Sequence, residues 1–221
     1  MKLNFGCIAA LATASLCAAP VYASTCAPQT LVHIVTVDVT PGVAAASFAA
    51  QPKSTYRLGS DRMRIEESPD TVNGITGLVV IAEPNIWLVN LYDHTGRHAV
   101  DPGPTFFAKA PLFGTTDIAP KLAALELGCE AEFIAANGLR PARVEQLDKS
   151  AFDVYRLAEE LDAVEILERP AENTPAFARL YREGKLVAAL RYDVYARGLP
   201  DDKSLFVPPP GVRFTEVSSS R

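Results

Sequence analysis

The stretch Lys53-Ser54-Thr55-Tyr56-Arg57-Leu58-Gly59-Ser60-Asp61-Arg62-Met63-Arg64-Ile65-Glu66-Glu67 decides the fold class. Apolar and charged residues alternate on both sides of Gly59-Ser60-Asp61. A period of two is the mark of a half-buried strand, and Gly with Ser and Asp is turn chemistry. The stretch therefore predicts an antiparallel hairpin. Tyr56, Leu58, Met63 and Ile65 are read as one oily face, and Arg57, Arg62, Arg64 and Glu66 as the wet one.

Working outward, the same period recurs. Leu31–Val39 (LVHIVTVDV) is β-branched and stops at Pro41-Gly42. Gly77–Ala82 (GLVVIA) and Ile86–Tyr92 (IWLVNLY) form the most apolar pair, with Glu83-Pro84-Asn85 as the expected turn. Asp93-His94-Thr95-Gly96 then turns into a short strand around His98–Val100. Further on, Phe152–Leu157, Ala163–Leu167, Phe177–Arg182 and Leu186–Tyr195 read as strands. In the last of these Leu186, Ala188, Leu190, Tyr192 and Val194 are expected on one face.

Between the two runs of strands the period changes. Ile118, Leu122 and Leu125 are spaced i, i+4, i+7, and Cys129, Phe133 and Ala136 repeat the pattern after Gly128. These predict two short helices meeting at Gly128. Residues 104–114 (PTFFAKAPLFG) are apolar but broken by proline and glycine, as in a covering loop. Strands, a short helical insert, then strands predict a mainly β (α+β) fold. The expected form is a curved antiparallel sheet, or unclosed β-barrel, with the helical insert packed on the concave side.

The ends bound the location. Lys2 precedes an apolar run from Phe5 to Ala19, and Val21 and Ala23 are small residues at the −3 and −1 positions of a cleavage site. Residues 1–23 are therefore expected to be a secretory signal peptide. A single domain would occupy 24–215, with a flexible tail at 216–221. No later segment is apolar enough to span a bilayer, so the exported chain is not expected to be transmembrane. Cys17 follows the bulky Leu16 and Cys26 follows Thr25, a poor context for lipidation, so an outer-membrane lipoprotein is the lesser alternative to a periplasmic protein. Cys26 and Cys129 remain after cleavage, and an oxidising compartment favours their pairing in a disulfide.

Chemistry is scarce. The chain carries 21 Lys and Arg against 26 Asp and Glu, a net charge of −5, with no basic patch. Nucleic acid is thereby excluded as a partner. No nucleophile elbow, P-loop or dinucleotide fingerprint occurs. His94 and His98, near Asp93 and Asp101, have metal-ligand spacing only on a helix, which Gly96 and the strand pattern oppose. His33 interrupts an apolar strand face, as a hydrogen-bonded core or cavity-lining histidine does. No catalytic residue, metal or cofactor is expected, and the chain is read as a non-enzyme.

Apolar surface is what remains. A strongly curved sheet with few helices leaves room for an apolar cavity. The candidate lining is Tyr56, Leu58, Met63, Ile65, Trp87, Val89, Leu91, Phe106, Phe107, Leu190 and Tyr192.

Three segments carry a resemblance. They are Tyr56–Glu66 (YRLGSDRMRIE), Trp87–Asn90 (WLVN), and Arg182–Val187 (REGKLV) with the closing Leu205–Val212 (LFVPPPGV). Together they resemble the LolA/LolB-like superfamily of periplasmic lipoprotein carriers. The resemblance implies an unclosed antiparallel β-barrel capped by helices around a hydrophobic cavity. It implies a lipid or lipoprotein acyl chain as ligand, or an envelope protein as partner, since the same fold serves envelope-stress regulators. Family members commonly begin with an amphipathic helix, whereas this chain enters a strand soon after the expected cleavage site. No family binding residue is carried over. The alternative function is an envelope regulatory or protein-interaction module with a filled core.

Overall fold

A computed structural model describes residues 26–103, 108–114 and 118–217. Six strands precede the helices: β1 (Leu31–Asp38), β2 (Lys53–Leu58), β3 (Arg62–Glu67), β4 (Gly77–Ala82), β5 (Asn85–Asn90) and β6 (Thr95–Val100). The helices are α1 (Pro120–Ala123) and α2 (Glu130–Ala136). Six strands follow: β7 (Pro141–Leu147), β8 (Ser150–Glu159), β9 (Asp162–Arg169), β10 (Thr174–Arg182), β11 (Lys185–Leu199) and β12 (Arg213–Val217).

All twelve strands join one sheet in the order β12-β6-β5-β4-β3-β2-β1-β11-β10-β9-β8-β7. Each neighbour is antiparallel except β12, which runs parallel to β6. β1 joins the two halves by pairing with β2 on one side and β11 on the other. The edges β7 and β12 do not meet, so the sheet is an unclosed barrel. Strand twist accumulates over so many strands and curls the sheet.

The helical insert packs on the concave face, where Leu122, Leu125 and Phe133 meet Val32, Ile34, Val164, Ile166, Ala178, Leu180 and Tyr192. The opposite face is crossed by the chain between β11 and β12. There Phe206 buries Leu31 and Leu58, and Val212 and Phe214 pack on Leu78, Val80 and Val89. Gly96 permits this, because a Cβ there would meet the Phe214 ring at 2.8 Å and the Leu88 carbonyl at 2.8 Å.

Several elements differ from expectation. The helices are four and seven residues long, shorter than their apolar spacing suggests. β7 and β12 were not foreseen: both are edge strands with mostly exposed side chains, so neither carries the alternation of a half-buried strand. β12 runs through Val217, past the boundary expected at 215. In β11 the register shifts between Val35↔Val194 and Thr36↔Tyr192. This bulge separates Val194 from the face that Leu190 and Tyr192 share.

The register also regroups the first hairpin. Leu58 pairs with Arg62 across a three-residue turn, so Arg57 pairs with Met63 and Thr55 with Ile65. Tyr56 and Leu58 share a face with Arg64 and Arg62 instead. In the next hairpin Ala82 pairs with Asn85, which makes the turn two residues and not three. Leu88 and Ile86 therefore join Val79 and Ile81, while Trp87 and Val89 fall opposite. A shift of one residue exchanges the two faces of a strand.

Candidate functional site

The concave face of β2–β6 carries two cross-strand rows. One runs Thr55-Ile65-Val79-Leu88-Arg97 and the other Arg57-Met63-Ile81-Ile86-Ala99. The inner end is covered: Met63 is buried under Ala108 and Ala110, with Ile65, Ile81 and Leu127 beside it. The outer end is open, and Leu88 is 49% exposed there. A hollow of about 490 Å³ lies over this end, lined by Gly77, Val79, Leu88, Asn90, Thr95, Arg97 and Thr215 among others. An apolar strip that passes from a closed core to open solvent on a concave surface suits a chain-like apolar ligand better than a reacting group.

A buried polar knot ends the strip. Arg57 is 1% exposed. Its Nη2 donates to Glu126 Oε2 at 2.5 Å and to the Ala108 carbonyl at 3.3 Å, and its Nη1 donates to the Leu127 carbonyl at 2.9 Å. Nη1 also lies 3.2 Å from Cys129 Sγ, and Cys129 is disulfide-bonded to Cys26 with Cα atoms 5.8 Å apart. One guanidinium thus ties the covering loop, the approach to α2 and the start of the described chain to β2. A charge inside a core is retained only when paired and hydrogen-bonded in this way. The expectation that Arg57 faces water fails for that reason. The bridge itself fits an oxidising compartment.

Under the helices the same face is filled. Glu130 is fully buried, and Tyr192 and Tyr195 donate to its carboxylate at 2.8 and 2.5 Å. Burial raises its pKa above the usual carboxylate range, against the two hydroxyl donors, which lower it. Glu168 is raised as well, first by desolvation, although the Arg197 charge opposes the shift. These groups are sealed in the core, without the access a general acid needs.

The expected cavity lining is divided between two faces. Met63, Ile65, Leu190 and Tyr192 lie on the concave face, the first two in the strip and the last two in the core under the helices. Tyr56, Leu58, Trp87, Val89 and Leu91 belong to the clusters beneath the β11–β12 crossover. Tyr56 stacks on His33 at 4.3 Å, and Trp87 stacks on His98 at 5.3 Å. Phe106 and Phe107 lie outside the described residues. The strip residues Ile86, Leu88 and Arg97 were not anticipated, and the signal that identifies them is the two-residue length of the Glu83-Pro84 turn.

The histidines have structural partners. His98 bonds Asn85 Oδ1 at 3.0 Å and Glu216 at 2.8 Å, and His33 bonds Ser54 Oγ at 2.9 Å. His94 sits in the turn before β6 with φ of 55°. Among the described residues no group of three or more His, Cys, Asp or Glu is placed to hold a metal ion. Among them, too, no helix is long and apolar enough to cross a membrane.

No protein-family model matches the sequence, and no curated protein matches it significantly. Solved structures resemble it in fold. An uncharacterised conserved protein from Thermus thermophilus shares 13% identity, with 86% of this chain and 91% of that one covered and a TM-score of 0.49. A chain of the MucA/MucB complex of Pseudomonas aeruginosa shares 13% identity over 81% of this chain and 56% of that one, at a TM-score of 0.42. At these values the likeness transfers no residue of the site. The structural neighbours include LolA superfamily protein NE2245 from Nitrosomonas europaea, with 11% identity, 82% of this chain and 90% of that one covered, and a TM-score of 0.34.

Proposed function

We propose that this chain is a non-enzymatic binding protein of the periplasm that holds the acyl chain of a lipid or lipoprotein on the open strip of β3–β6. Residues 1–23 would direct export and be removed, leaving a binding domain that runs from residue 24 through β12. The observation that carries the proposal is the exposed half of Leu88 in a row with Ile65 and Val79. A half-buried apolar row that ends on an exposed leucine beside a hollow offers a place for an apolar chain to lie. Each methylene of a chain laid there contributes about 0.8 kcal/mol through burial. Pairing of Cys26 with Cys129 supports the oxidising location.

Native mass spectrometry of gently purified protein tests the proposal, with uptake of a fluorescent fatty acid as the second measurement. Bound lipid, and uptake lost in Leu88→Asp, is the expected result. A clean apo mass with no uptake overturns it. The filled core under the helices favours a second reading, an envelope regulatory or protein-interaction module without a ligand. That reading predicts capture of an envelope protein by the wild type and by Leu88→Asp alike.

A further inference from the structure

The outer end of the strip carries a charge pattern of its own. Arg97 is the one charged side chain among the described residues lining the hollow, and it is exposed. It sits directly across from Leu88, at the end of the apolar row. Three carboxylates lie nearby, each with a partner of its own. Glu67, beside Gly77, faces Lys53 at 3.6 Å, and Glu216 bonds His98 at 2.8 Å. Asp93 accepts from Thr95 at 2.7 Å and faces the Arg213 charge. Arg213, in register with Thr95, brings a second cation to the same rim. The rim therefore carries both signs, and Arg97 is the charge that lines the hollow itself where an apolar chain would leave the strip.

We infer that Arg97 is the head-group site of the strip and that its ligand is a free long-chain carboxylate, its chain running inward over Leu88 and Val79 toward Met63. The inference rests on the acyl-chain reading above. An arginine fork matches the two oxygens of a carboxylate and is permanently charged. From β6 to β3 is three strand spacings, about 14 Å at ~4.8 Å each, comparable with an extended twelve-carbon chain. The open mouth lets the head remain hydrated on one side, so the contact works as a charged hydrogen bond at a surface and sets preference more than total affinity.

Displacement of a fluorescent fatty acid from the purified protein tests this, with dodecanoate, dodecanol and dodecyl phosphate as competitors. Dodecanoate is expected to compete about tenfold better than dodecanol, the scale of one charged hydrogen bond. In Arg97→Gln the two should become equal while dodecanol is unaffected, and Arg213→Gln should narrow the gap only partly. Equal competition by acid and alcohol in the wild type overturns the inference and leaves the acyl-chain reading standing. The same holds for a preference that survives in Arg97→Gln, or for dodecyl phosphate competing better than dodecanoate. Failure of all three to compete overturns both.

Discussion

The two halves of the concave face are built from the same kinds of residue and end differently. Under the helices, Leu122, Leu125 and Ile166 are at most 2% exposed, while Leu88 on the same face is 49% exposed. The insert between β6 and β7 supplies helices of only four and seven residues, and they cover β1 and β9–β11. The face over β4–β6 is left less covered, with Leu88 open to solvent. Apolar character alone thus does not separate core from open surface, and the reach of the covering elements does. The Arg57 knot marks the border, because it holds the cover in place at the inner end of the open strip.

Removing that border gives the largest expected effect. Arg57→Ala breaks a buried ion pair and the guanidinium's bonds to the 108 and 127 carbonyls, which costs about 3–5 kcal/mol. For a chain of this size each kcal/mol is about 2–4 °C of Tm, so calorimetry should show a fall on the order of 10 °C. The contrast between the halves is measured directly by two truncations. Leu122→Ala should cost about 2–5 kcal/mol as a core cavity, and Leu88→Ala about 0.5 kcal/mol or less, in parallel urea titrations. Similar values for both would erase the distinction drawn between the halves.

The cover can also be loosened through its bridge. Replacing Cys26 and Cys129 by Ser opens a loop with a sequence separation of 103. Chain entropy sets the loss at up to ~4.7 kcal/mol, of which about 2–4 is typically observed. The loss should vanish when wild type and variant are compared under reducing conditions. The smallest effect concerns the sealed carboxyl. Glu130 has a raised folded-state pKa, so it binds its proton more tightly folded than unfolded. Its contribution is fully present below the ordinary carboxylate pKa and is lost as pH rises through the folded value. Wild type should therefore lose stability relative to Glu130→Gln between acid and neutral pH. A difference between the two that does not change with pH would show that this carboxyl keeps its ordinary pKa in the fold.

Much of the architecture was legible. The alternation in 53–67, 77–92 and 152–195 identified most of the central strands, and the change of period at 118–136 located the helices. The Cys26–Cys129 pair followed from compartment and count. The edge strands β7 and β12 were hidden because exposed strands carry no apolar period. The candidate site was only partly legible. Met63, Ile65, Trp87, Val89 and Leu91 were read as one lining, and the two-residue turn puts Trp87, Val89 and Leu91 on the face opposite Met63 and Ile65. Arg57 was hidden for another reason: the partners that make its burial tolerable, Glu126 and the 127 carbonyl, are about 70 positions away, with separations of 69 and 70.

The amino-acid sequence by itself determined that this is a strand-rich chain with a short helical insert, an apolar surplus, two pairable cysteines and no clustered catalytic chemistry. Those properties are local or compositional, and hydrophobic period and residue type are enough to set them. Tertiary structure alone decided which apolar residues are core and which form the open strip. Hairpin register turns on a single residue of loop length, and burial turns on how far two short helices reach across twelve strands. Both are settled by contacts between distant segments.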